Sequence, residues 1–242
     1  MIQAPEVVAR IDDLDATQWD RLCPNDYPFT RHAFLAALER SGSLGAERGW
    51  QPHHLIWRQD DGQLAAALPA YLKTHSFGEY VFDWAWADAY TRNGLDYYPK
   101  LLAAIPFTPC QGPRLLAGGT EPQWVERAAQ ALTAQSRSLG LSGWHCLFPE
   151  PELSALWRQA GTTQRLSCQF HWFNDGYRDF EDFLARMNSR KRKTLRKERR
   201  RVLEQGFEFE WREGPDIRAQ DWELFYRFYQ LTYLKRSGHG GY

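Results

Sequence analysis

The chain is poor in the residues that build metal and disulfide chemistry. It has four Cys among 242 residues, at 23, 110, 146 and 168, and none form a CxxC pair. That argues against a zinc site or a disulfide framework and fits a reducing cytoplasm, with the four thiols as small buried apolar groups. No HxxxH or HExxH spacing occurs among the seven His, so no metal is expected. GxSxG, GxxxxGKS/T and GxGxxG are all missing, which removes the main support for hydrolase, P-loop and dinucleotide readings. No run approaches the roughly 20 uninterrupted apolar residues of a membrane-spanning helix. Residues Met1 to Arg10 lack the basic start and apolar stretch of a signal peptide. A cytoplasmic protein without a membrane span is therefore expected, free of internal repeats and low-complexity tracts.

Aromatic residues are plentiful. Eleven Trp, 11 Tyr and 14 Phe sit in a chain that is 43% hydrophobic. Rings on that scale line cores or broad clefts. Val7 to Ile11 reads as a short strand. Asp15 is placed to cap a helix through Leu22, and Thr30 to cap a second one bearing Phe34, Leu35 and Leu38. His54–Arg58 and Gln63–Leu72 flank Asp61-Gly62 as a hairpin. The segment Tyr80 to Tyr90 reads as strand turning into helix, and Leu101 to Phe107 as a strand. A helix from Glu121 to Leu139, a strand at Trp144–Phe148, a helix at Pro151–Gln159 and a strand at Gln164–Phe173 follow. This alternation predicts an α/β fold with a mixed sheet over residues 1–175. Residues 176–242 differ: a short helix around Phe183, a basic helix capped by Ser189 and ended by Gly206, a strand at Phe207–Trp211, and an aromatic helix opened by Asp216 or Asp221. One strand cannot make a sheet by itself.

Charge is the other abundance. Residues 190–201 hold nine Lys or Arg and one Glu, a local +8, although the chain as a whole has 30 basic and 30 acidic residues. Such density attracts phosphates, diphosphate-linked carriers, nucleic acid or anionic lipid; a solvated helix face is the plain alternative. Elsewhere, Asp83 and Asp88 lie among Trp84, Trp86 and Tyr90. A carboxylate held among rings would have a raised pKa and serve as a base; Asp83 as a helix cap in ordinary core packing is the simpler reading. Tyr97-Tyr98-Pro99-Lys100 offers two phenols and an amine beside a strand, with Tyr98 a proton donor to a leaving group. Lys235-Arg236-Ser237-Gly238-His239-Gly240 loosely matches a phosphate loop, but it follows a helix, and the match reads as accidental.

Several segments carry a resemblance. They are Phe82-Asp83-Trp84-Ala85-Trp86-Ala87-Asp88-Ala89-Tyr90, Gly94-Leu95-Asp96-Tyr97-Tyr98-Pro99-Lys100-Leu101, Ile105-Pro106-Phe107-Thr108-Pro109, Gly112-Pro113-Arg114-Leu115-Leu116, Leu147-Phe148-Pro149, Gln169-Phe170-His171-Trp172-Phe173-Asn174 and Ser189 to Arg199. Together they resemble the FemAB-like group of N-acyltransferases within the GNAT superfamily. The resemblance implies a tandem of two GNAT-like domains, the first at 1–175 and the second opening at 176–242 and incomplete, so that this stretch is inactive alone. In the related Fem aminoacyl-transferases a Ser-Lys-Thr-Arg-x-Asn-Ile-Arg type motif opens the second domain. Ser189, Arg192, Leu195 and Arg196 match it in kind, and Thr194 stands where Asn would be.

The implied reaction moves an acyl or aminoacyl group from acyl-CoA or aminoacyl-tRNA to an amine, with a link to peptidoglycan and no metal. The implied phosphate contacts are Arg190, Arg192, Lys193 and Arg196, and Asp83, Asp88 and Tyr98 are the candidates for proton transfer. A phosphate-bearing small molecule or a tRNA 3′ end is then the partner, and general DNA binding is not expected. The alternative is a non-catalytic RNA- or anion-binding protein that uses helix 190–201.

Overall fold

Pro69 splits what the sequence presents as one strand, and the split organises the sheet. A computed structural model describes residues 4–24, 26–118 and 122–238. The chain divides into two compact units, Met1–Arg165 and Leu166–Tyr242. The first runs β1 (Glu6–Val8), α1 (Ala16–Leu22), α2 (His32–Arg40), β2 (Trp50–Pro52), β3 (His54–Arg58), β4 (Leu64–Leu68), β5 (Ala70–Lys73), α3 (Trp84–Arg92), β6 (Lys100–Ala103), α4 (Pro122–Ser138), β7 (Trp144–Cys146) and α5 (Pro151–Gln159). One sheet has the order β1-β3-β4, the other β2-β5-β6-β7. The two are joined end to end, because His53 alone separates β2 from β3 and Pro69 alone separates β4 from β5. The His53 amide donates to the Ala70 carbonyl at 2.8 Å across this seam. Pro69 has no N–H to give, which ends the β4 ladder there. All pairs are antiparallel except β6–β7, which is parallel and takes α4 as its crossover.

Side-chain alternation then sorts the faces. Leu55, Trp57, Ala66, Leu68, Ala70, Leu101 and Ala103 pack with Trp124, Val125, Ala128 and Leu132 of α4 and with Leu153 and Trp157 of α5. Ile56 and Ala67 pack with Trp19, Leu35 and Ala36 of α1 and α2. A third cluster joins Trp50, Tyr71 and Leu102. Arg114 is buried and ties the β6–α4 connection to the chain after β7, donating to the carbonyls of Leu147 (2.7 Å), Cys110 (2.6 Å) and Pro113 (3.1 Å).

The second unit is helical: α6 (Phe180–Ala185), α7 (Ser189–Glu204) and α8 (Ala219–Ser237). Leu184 is buried, and Phe183 meets the rings of Trp172, Tyr177 and Phe180. Asn188, not Ser189, caps α7; its side chain accepts from the Lys191 amide at 2.9 Å. Replacing it, Asn188→Ala, should cost about 1 kcal/mol, and Ser189→Ala much less. Circular dichroism during thermal unfolding separates the two.

Several sequence expectations change. Residues 164–173 and 207–211 carry no regular structure, because their alternation finds no partner strand. Residues 80–83 form no strand before α3, and β6 and β7 stop earlier than expected. Thr30 lies in a 3-10 turn, and Arg31 is the N-cap of α2. Neither Asp216 nor Asp221 is the N-cap of α8: Arg218 is, and Asp221 closes a capping box from the third position. Of the four thiols Cys23 is buried, Cys146 half-buried, and Cys110 and Cys168 exposed. A helix start at Glu121, and His239 and Gly240 of the loose phosphate-loop match, lie outside the described residues.

Candidate functional site

Two lysines meet inside the first unit. Lys73 ends β5 and Lys100 begins β6, directly opposite each other in the ladder. Both side chains are fully buried. Opposed like charges destabilise a sheet unless something neutralises them. Here the connection after β5 supplies Ser76 and Glu79, and the residue before α3 is Asp83; all three are buried. The Lys100 Nζ donates to Asp83 Oδ2 at 2.6 Å, to Glu79 Oε2 at 2.8 Å and to Ser76 Oγ at 3.3 Å. The Lys73 Nζ donates to the Phe77 carbonyl at 3.2 Å and lies 3.8 Å from the centre of the Trp50 ring. The other Glu79 oxygen, Oε1, is buried with no hydrogen-bond partner among the described residues.

Asp83 is the hub. Besides Lys100 it accepts from the Tyr97 hydroxyl at 2.8 Å and from the Arg165 guanidinium. Burial pushes its carboxyl up, but Lys100, Arg165 and Tyr97 outweigh this and hold it at about 2. The raised pKa that would make Asp83 a base, the less simple of the two readings, is not found. Asp83 does stand at the N-cap position of α3, but its side chain makes no capping bond because the cluster has taken both oxygens. Burial lowers His145 to about 4, and pushes the Tyr97 phenol up, with Asp83 adding to it. Glu79 is raised by burial against the pull of Lys100.

Burial also brings Lys73 down to about 7 from its ordinary 10.5. Between those values the unfolded chain holds a proton that the folded chain does not. Stability should therefore climb as pH rises from 7 towards 10, by about 1.4 kcal/mol per unit at most. Lys73→Met should flatten that limb in urea titrations; an unchanged slope would assign it to another group.

Tyr98 is where the cluster reaches the surface. It is half-buried, and its hydroxyl lies 2.7 Å from Ser76 Oγ. Asp88 stands apart: it is exposed on α3 and pairs with Arg92 at 2.8 Å. The four phosphate candidates on α7 do not converge on one point. Arg196 is paired with Glu181, Arg192 is half-buried and its guanidinium makes no hydrogen bond to another described residue, and Arg190 and Lys193 are exposed. Among the described residues no His, Cys, Asp or Glu group is arranged to hold a metal, and no helix is long and apolar enough to cross a membrane.

Sequence reasoning named Asp83, Tyr98 and Lys100 but missed Lys73, Ser76, Glu79 and Arg165. One signal was present. Lys73 follows Tyr71 at spacing two in an apolar strand, which points it to the inner face.

A family described as FemAB-like, peptidoglycan biosynthesis/recognition, matches residues 10–242. The chain belongs to the FemAB-like family. Its relatives are transferases of peptidoglycan biosynthesis with a GNAT-like fold, in keeping with the mixed sheet and flanking helices of the first unit. No curated protein and no solved structure matches the chain. In this FemAB-like chain the polar cluster is built on the β5–β6 pair, with Ser76, Glu79 and Asp83 supplied by the chain between the two strands.

Proposed function

We propose that this FemAB-like chain is an N-acyltransferase that passes an acyl or aminoacyl group from acyl-CoA or aminoacyl-tRNA to an amine, in the cytoplasm. The observation that carries the reaction class is the family match over residues 10–242. The amine nitrogen attacks the carrier's carbonyl carbon, a C–N bond forms, and the C–S or C–O bond to the carrier breaks. The amine gives up one proton and the leaving group takes one. Such chemistry needs positioning and a proton route more than a nucleophilic side chain.

Tyr98 is the donor in this reading, since it is half-buried and its hydroxyl leads through Ser76 to the Lys100 ammonium. Asp83 does not act as a base; held at about 2, it keeps Lys100 charged and in place. Asp88 has no part. Arg192, with Arg190, Lys193 and Arg196 beside it, contacts a phosphate of the donor. Residues 1–175 form the first acyltransferase-like domain and 176–242 open a second.

The test incubates the protein with labelled acetyl-CoA, or with a labelled aminoacyl-tRNA pool, and a peptide carrying a free lysine amine. Labelled amide is expected with one donor. RNA binding without transfer from either would replace this reading with the non-catalytic one.

A further inference from the structure

The fold sorts the charges of α7 into two groups. One side of the helix packs within its own unit: Leu195 and Arg192 are half-buried, Arg196 pairs with Glu181, and the Arg199 guanidinium lies 4.2 Å from the Phe180 ring centre. At about 100° per residue, Arg190, Lys193, Lys197, Arg200 and Arg201 share an arc of about 100° on another side. All five are exposed, and none of their side chains bonds another described residue. The row is about 16 Å long. Glu204 lies on the same side past its end, and Lys191 and Glu198 lie round the back. Neighbours in the row stand three or four residues apart and repel one another. Glu204, three and four residues beyond Arg201 and Arg200, is the one acid of α7 on that side, against five cations.

We propose that this row docks the protein on an anionic lipid bilayer. A straight helix with its cations on one side meets a plane with all five at once. The row is convex, and no residue of Ser189–Glu204 is aromatic, so it lacks the stacking rings that mark single-stranded RNA sites. Residues outside 190–201 carry a net −8, so an anionic plane attracts the molecule through this helix and repels it elsewhere. The proposal does not rest on the transfer reaction; Arg190 and Lys193 belong to both the row and the donor-phosphate group, whereas Lys197 and Arg200 belong to the row alone.

The test is co-sedimentation of the full chain with phosphatidylcholine vesicles, with and without phosphatidylglycerol. Binding is expected only with the anionic lipid, and it should weaken as salt shortens the screening length. A cation near such a surface is worth about a fivefold change in partition, so Lys197→Gln with Arg200→Gln should weaken it about 30-fold. Both side chains are exposed and unpaired with described residues, so the fold should persist, which circular dichroism verifies. Lys191→Gln, on the other side, should change partition by less than about threefold, because the effect requires closeness to the surface. No pelleting with anionic vesicles at low salt overturns the proposal. So does a per-residue loss as large at Lys191 as in the row, or tight binding to bulk tRNA without any to vesicles.

Discussion

Lys100→Met should destabilise the first unit by about 3–5 kcal/mol, the usual cost of removing one partner from a buried ion pair. The substitution keeps the volume of the side chain and removes the ammonium. Glu79 and Asp83 are then left near each other in the interior, with Arg165 the one cation among the described residues still bonded to Asp83. Urea unfolding at pH 7 measures the loss. Adding Glu79→Gln to the variant should return part of it, since one of the stranded charges is gone.

The pH profile supplies the second readout. In the wild type Asp83 titrates at about 2, below its ordinary 3.8, so its contribution is present above about pH 4 and lost as pH falls through 2. In Lys100→Met both carboxyls should titrate above their ordinary values, and their destabilising effect appears as pH rises through those values. The variant should therefore be relatively more stable near pH 4 than at pH 7, the reverse of the wild type. A loss below 1 kcal/mol with an unchanged acid limb would show that the cluster carries no net charge to strand.

Tyr98→Phe should lower kcat by about 10²- to 10⁴-fold, the range for removing a positioned proton donor. The substitution deletes the hydroxyl, both the proton it gives and its bond to Ser76, while the ring keeps its contact with Tyr97. KM should change little, because the hydroxyl acts on the leaving group. The loss should be larger with an oxygen ester than with a thioester. A thiolate, of pKa near 8.5, departs without a proton more readily than an alkoxide. Initial rates with the two donors decide this. Equal, small losses with both would remove Tyr98 from the chemistry and leave it as a hydrogen-bond partner of Ser76.

Much of the fold is legible in the residues. Asp15 does cap α1, with its side chain accepting from the Gln18 amide at 2.8 Å, and the helix at Pro151–Gln159 falls where the pattern puts it. Asp61-Gly62 does turn β3 into β4. These features depend on neighbours within a few positions, which the sequence displays directly. The segments that misled, 164–173 and 207–211, alternate as strands do, but a strand exists only with a partner, and pairing is not a local property.

The candidate site divides the same way. Local sequence was enough to single out the basic run, its helix, and the Tyr97–Lys100 segment beside a strand. It did not bring Lys73, Ser76, Glu79, Asp83, Lys100 and Arg165 together, because those residues span 93 positions and meet only through the β5–β6 register and the chain that closes over it. Nor did it decide the state of Asp83. Rings beside a carboxylate suggested a raised pKa, whereas an ammonium at 2.6 Å gave a lowered one. The sequence by itself determined which charges and phenols the chain carries and the family it belongs to. Tertiary structure alone decided which of them are buried, which are paired, and which cations of α7 remain free to meet an anion. The physical reason is that burial and electrostatic partnership depend on distance in space, and only the packed sheet and helices set those distances.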